Sequence, residues 1–197
     1  MTNTASIFWK FIRVAGALAA LAVWPGISQA QALTGQASAV TAVVLGLATS
    51  LADTGTLSSA SEPLGTGLST GSIPGLISGE ALHAATMGWT DQVASQASLS
   101  NLAVSVAGIG ITAQSLLSRA LAVSGAGATG GSSIEGLTIG GVPVSVTGAP
   151  NQQFSLPGLS IVLNEQIQSA NGIIVNALRV RSLDGTDIAI GTARAGI

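Results

Sequence analysis

LSIVLNEQIQSANGIIVNALRVRSLDGTDIAIGTARA, residues 159–195, decides the fold class. Leu159, Ile161 and Leu163 alternate with other residues, as they do in a strand with one buried face. Asn171-Gly172 and Asp184-Gly185 are strong hairpin dipeptides, because primed turns need positive φ. They bracket Ile173–Leu183 as one strand, and Asp187–Ala195 follows as the next. The segment therefore reads as a three-stranded antiparallel meander. A two-residue turn at Asn171-Gly172 opposes Leu163 to Val180 and Glu165 to Leu178. That register sets Glu165 among Ile161, Leu163, Leu178 and Val180, with Arg179 and Arg181 on the other face. A carboxylate on an apolar face needs water or a partner, and the solvated rim of the sheet is its expected place.

Working back towards the N-terminus, the same alternation recurs. Leu137 and Ile139 lead through Gly140-Gly141 to Val142, Val144 and Val146, a second hairpin signal. Leu102, Val104 and Val106 form a strand, Gly108 and Gly110 punctuate, and Ile109, Ile111 and Ala113 continue a further one. Val40, Ala42 and Val44 mark a strand within 33–60, although the alanine content there also suits a helix. Residues 61–79 (SEPLGTGLSTGSIPGLISG) and 124–133 (SGAGATGGSS) read as loops on their Gly, Ser and Pro content. The recurrence of strand, glycine turn and strand is too degenerate for a fixed repeat. The expected architecture is an all-β, mainly antiparallel β-sandwich, with a β-solenoid or β-roll as the alternative.

The first residues carry a different pattern. Lys10 and Arg13 precede Val14–Trp24, 11 uncharged, mostly apolar residues, and Pro25-Gly26 ends that run. Ser28-Gln29-Ala30 and Ala30-Gln31-Ala32 are small-residue cleavage patterns. This order is that of a secretory signal peptide, and the apolar run is too short to span a bilayer. Residues 1–32 are thus expected to be a signal peptide with a short helix. Residues 33–197, about 165 residues, suit a single Gly/Ala/Ser-rich β domain. Secretion to the extracellular space, or to the periplasm, follows, with no membrane role after cleavage.

Composition narrows the function. Charged residues make up 7% of the chain, against roughly a quarter in ordinary domains. After residue 32 four arginines (119, 179, 181 and 194) face eight carboxylates, a net charge of −4 with His83 neutral. No basic cluster exists for nucleic acid. The absence of cysteine removes disulfides, zinc thiolates and thiol catalysis. His83, the only histidine, has Glu80 nearby and Asp91 further on, but no nucleophile beside it by motif. Asp184 and Asp187 offer oxygen ligands of the kind calcium takes, but a turn that needs Asp-Gly explains them more simply. Trp89 and Phe154 are the only aromatics past residue 32, few for a sugar-binding hydrolase. No G-x-S-x-G elbow, phosphate loop or dinucleotide fingerprint is present. No residue is assigned a catalytic, cofactor or metal role, and the chain is read as non-enzymatic. An extracellular structural or surface-associated protein is expected, whose partners are copies of itself or cell-envelope or matrix components. The alternative is a secreted ligand- or glycan-binding module using Trp89, Asp91 and Asn101.

Spaced motifs in a constant order also resemble the choice-of-anchor P family of exported bacterial proteins. They are Pro150-Asn151, Leu156-Pro157-Gly158, Leu163-Asn164-Glu165-Gln166, Val175-Asn176-Ala177-Leu178 and Ile190-Gly191. The resemblance covers residues 80–197 well and 33–79 more loosely. It implies export and a cell-surface setting, and it brings no catalytic residues. The chain stops at Ile197 without the C-terminal sorting signals such proteins carry, so release rather than covalent attachment is expected.

Overall fold

The computed structural model describes residues 32–57, 59–60 and 63–197. The expected signal peptide lies outside the described residues, apart from Ala32. The described residues form one compact unit, and every regular element among them is a strand. The strands are β1 (Thr34–Val44), β2 (Leu47–Asp53), β3 (Leu64–Ile73), β4 (Ile77–Gly88), β5 (Gln92–Val106), β6 (Ile109–Val123) and β7 (Gly127–Glu135). They continue with β8 (Thr138–Ile139), β9 (Val142–Pro143), β10 (Gln152–Leu156), β11 (Leu159–Ser169), β12 (Gly172–Ser182) and β13 (Asp187–Gly196).

These make two antiparallel sheets packed face to face. The terminal sheet runs β10-β11-β12-β13-β1-β2, and the central sheet runs β3-β4-β5-β6-β8-β9, with β7 alongside β6. The path is a meander: β1 and β2 open the terminal sheet, β3 to β9 build the central one, and β10 to β13 return. The first and last strands therefore pair, from Thr34 with Gly196 to Val43 with Asp187. The sandwich is the architecture expected, and stacked solenoid rungs are not its plan.

The 159–195 meander is present as β11, β12 and β13. Its register differs from expectation. Leu163 faces Leu178, Glu165 faces Asn176 and Ser169 faces Gly172, so Ala170-Asn171 makes the turn. Gly172 is needed elsewhere: a Cβ on it would stand 2.5 Å from the Ala195 oxygen and 2.8 Å from the Gly196 Cα. Gly140-Gly141 does form the expected turn, with φ of 58° and 79°, but its strands are only two residues each. Both glycine-rich segments read as loops contain strands, β3 in 61–79 and β7 in 124–133. Some of their glycines mark close approach. A Cβ on Gly71 would meet Leu82 Cδ2 at 3.0 Å, and one on Gly130 would meet Val175 Cγ2 of the other sheet at 2.5 Å.

One feature of the backbone organises the core. In β5 the buried positions are Val93, Ser95, Ala97 and Leu99, then Leu102, Val104 and Val106. The parity changes at Asn101, whose φ is 49°. Strand side chains alternate with period two, so one left-handed residue sends all later side chains to the opposite face. Neighbouring strands must change phase on the same line to keep one face inward. In the terminal sheet the line passes through Asn164 (φ 50°), Ala177, Gly191 (φ 59°), Ala39 and Ala52 (φ 49°). In the central sheet Ala81 (φ 47°), Asn101 and Gly136 (φ 63°) lie along it.

This seam separates two kinds of packing. On one side Ile111, Ile161, Leu163, Leu178, Val180, Ile188 and Ile190 fill the space between the sheets. On the other, Ala37, Ala84 and Ala97 form a small cluster and Ala120, Ala122, Ala193 and Ala195 join Val93 and Val175. Small residues bring the sheets close. A Cβ on Gly35 would lie 2.5 Å from Thr86 Oγ1 and 2.9 Å from Val93 Cγ1. At this point Thr86 and Ser95 share a 2.6 Å hydroxyl bond, and Ser95 Oγ donates to the Arg194 carbonyl at 2.6 Å. These buried hydroxyls are satisfied, as burial requires, and they tie the sheets together.

Candidate functional site

The seam carries a polar network on the outer face of the terminal sheet. Glu165 is not at the solvated rim: it is 7% exposed. The left-handed turn at Asn164 moves it off the face of Leu163 and onto that of Arg179 and Arg181. Its Oε2 accepts Asn176 Nδ2 at 2.7 Å and Arg179 Nη1 at 3.2 Å, and its Oε1 accepts Arg181 Nη2 at 2.9 Å. Arg179 also grips Asp187 with two bonds, Nε to Oδ1 at 2.9 Å and Nη2 to Oδ2 at 2.7 Å. Thr192 Oγ1 donates to Asn176 Oδ1 at 2.7 Å and closes the chain of bonds.

Two cations and two anions balance here. The paired hydrogen bonds from Arg179 hold the Asp187 carboxyl below the usual carboxylate range, and the bonds to Asp187 raise Arg179 further. Both Glu165 oxygens are occupied by donors, so the network clamps β11, β12 and β13 rather than offering a base.

The segment before β10 is locked to the same line. The Asn151 N–H donates to the Asn164 carbonyl at 2.9 Å. The Gln166 N–H donates to Asn151 Oδ1, and Asn164 Nδ2 donates to the Gly148 carbonyl, each at 2.9 Å. Asn151, Asn164, Glu165, Gln166, Asn176 and Gly191 thus meet along one seam, although their motifs are scattered in sequence. Side chains that hold unusual backbone explain why these residue types stand there.

The remaining sequence candidates do not converge. His83 is exposed on β4, its ring over Gly67, where a Cβ would be 3.1 Å from Cε1. Asp184 accepts the Thr186 N–H at 2.8 Å within its turn, and that bond keeps its pKa low. Asp187 instead faces Arg179. No group of three or more potential metal ligands occurs among the described residues. Trp89, 37% exposed, and Asp91 lie at the β4–β5 hairpin. Asn101 is far along β5, donating to Glu80 Oε2 at 2.7 Å beside a polar notch of about 280 Å³.

A larger concavity than this notch has no signal in the sequence. It is a trough of about 920 Å³ on the outer face of the central sheet. Gly65, Ala85, Gln96, Arg119 and Gly131 form one register row across its floor, from β3 to β7. Met87, Ala94, Leu121 and Thr129 make the next row. Small side chains on β3, β4 and β7 leave the floor low. Arg119 is exposed, its Nε donating to Gln96 Oε1 at 3.1 Å.

Compared with known proteins, the chain matches no family model, no curated protein and no solved structure.

Proposed function

We propose that the protein is an exported, non-enzymatic structural component of a cell surface or extracellular matrix, which associates with copies of itself through the edge of its central sheet. The observation that carries this reading is β3. Among the described residues it pairs only with β4; it is mostly exposed, and has no charge and no proline over its ten residues, LGTGLSTGSI. Edge strands are usually guarded by charge, proline or a covering element, because their free N–H and C=O groups template another strand. The leader-like N-terminus, the sparse charge and the resemblance to the choice-of-anchor P family agree with this reading.

The chain has no cysteine, so Thr70→Cys and Ser72→Cys give clean probes. Edge pairing predicts disulfide-linked dimers from these positions under mild oxidation, and none from Ser50→Cys on the exposed edge strand of the other sheet. Equal cross-linking from all three would speak for random collision. A second reading, a secreted ligand- or glycan-binding module, is favoured by one observation, the trough.

A further inference from the structure

From the trough we infer a binding site for a single-chain amphiphile with a carboxylate head, of the fatty-acid class. The inference rests on the binding-module reading and names its ligand; it does not depend on β3 pairing.

The volume, about 920 Å³, is within the range of small-molecule sites. The register row that crosses it spans five strands, about 19 Å at the usual strand spacing. Along the row from β3 to β5 the floor is Gly65, Ala85 and Gln96, with Met87 and Ala94 beside it, without a charged side chain. At the β6 position stands Arg119, the one charged residue of the lining. Its Nε donates to Gln96 Oε1, which leaves the two terminal guanidinium nitrogens for a ligand.

Arg179 and Arg181 are paired with Glu165 and Asp187, whereas no carboxylate among the described residues forms an ion pair with Arg119. A planar guanidinium suits a carboxylate, which it can meet with two parallel bonds. An acyl chain laid from β6 towards β3 would cover the apolar floor, about 14 Å of it. A cationic head would meet Arg119 unfavourably, and a neutral head would leave the guanidinium without a counter-charge. Arg119, Leu121 and the small floor residues are therefore assigned to ligand binding, with Arg119 fixing the polarity of the ligand.

The test is calorimetric titration of the full chain, and of residues 31–197, with dodecanoate below its micelle concentration. Dodecanol, dodecyltrimethylammonium and a panel of neutral oligosaccharides are titrated alongside. The expected result is saturable one-to-one binding of dodecanoate to both proteins. Arg119→Gln should weaken it about tenfold, as loss of a charge-assisted pair does, and leave dodecanol unchanged. Ala94→Trp should fill the floor and abolish both while the circular dichroism of the sheets persists. Equal binding of dodecanoate and dodecyltrimethylammonium, or indifference to Arg119→Gln, overturns the assignment. Binding of an oligosaccharide alone overturns the fatty-acid inference but keeps the binding-module reading, and no binding of any probe removes both. Binding by residues 31–197 but not by the full chain would name the N-terminal segment as the occupant and overturn the inference.

Discussion

Asn164 and Gly191 stand on one transverse row of the terminal sheet, with Ala177 of the intervening strand between them, and both hold left-handed φ, 50° and 59°. This shared row makes the change of phase cooperative. Each strand's inward set switches where its neighbour's does, and the core continues on both sides.

Gly191 should be the most sensitive point of the row. A side chain in the left-handed region costs about 1–2 kcal/mol, and a Cβ here would lie 3.1 Å from that of Ala177. Gly191→Ala is expected to destabilise by about that amount, and Gly191→Val by more. Denaturant unfolding monitored by circular dichroism reads the difference. Gly110, with nothing within 4 Å of an added Cβ and no positive φ, is the control, and Gly110→Ala should be close to neutral.

The Glu165 network predicts both a mutational and a pH effect. Glu165→Leu leaves two guanidinium groups and Asn176 without their shared acceptor, so a loss of about 3 kcal/mol is expected. Asp187 has a depressed folded pKa, chiefly through its bonds to Arg179. Its contribution is therefore complete above the unfolded carboxyl value, near 3.9, and disappears as pH falls through the lower folded value. Asp187→Asn should flatten the acid limb of a stability profile measured between about pH 5 and pH 2. An unchanged acid limb would mean that Arg179 does not hold Asp187 in solution.

Ser132 offers a gain. Its Oγ is buried without a hydrogen-bond partner among the described residues. Removing an unsatisfied buried hydroxyl recovers its desolvation cost, so Ser132→Ala should stabilise by about 1 kcal/mol. Thermal unfolding of the variant beside the parent checks the sign.

The close approach at Gly130 sets a further expectation. An added Cβ would reach Val175 Cγ2 and the Arg119 carbonyl at 2.5 and 2.7 Å. Gly130→Ala must push β7 from the terminal sheet, at about 1–3 kcal/mol for an overpacked site. Gly130→Ala with Val175→Ala should recover part of that loss in a double-mutant cycle.

Much of the terminal sheet was legible because β11 to β13 alternate on either side of the seam and carry turn dipeptides at or beside both hairpins. The register of β11 on β12 was not, since Gly172 answers to Ala195 and Gly196 rather than to the turn. β3 and β7 were read as loops because Gly, Ser and Thr suit exposed or tightly packed strand positions as well as they suit turns. The seam left a faint trace: Leu99 and Leu102, or Ala113 and Leu116, are buried residues three apart in strands of period two. Ala52 and Ala81 give no local sign of left-handed backbone. Glu165 could not be placed without the turn at Asn164, nor the trough without the rows that align Gly65, Ala85 and Gly131.

The most direct test of the proposed role is the solution mass of the full chain and of residues 31–197, by light scattering over a concentration series, for the parent and for Thr70→Lys. The parent should grow in mass with concentration, and the lysine on β3 should hold it at the monomer, since a charge blunts an edge. A parent that stays monomeric throughout, or a Thr70→Lys variant that assembles as readily, would contradict assembly through β3.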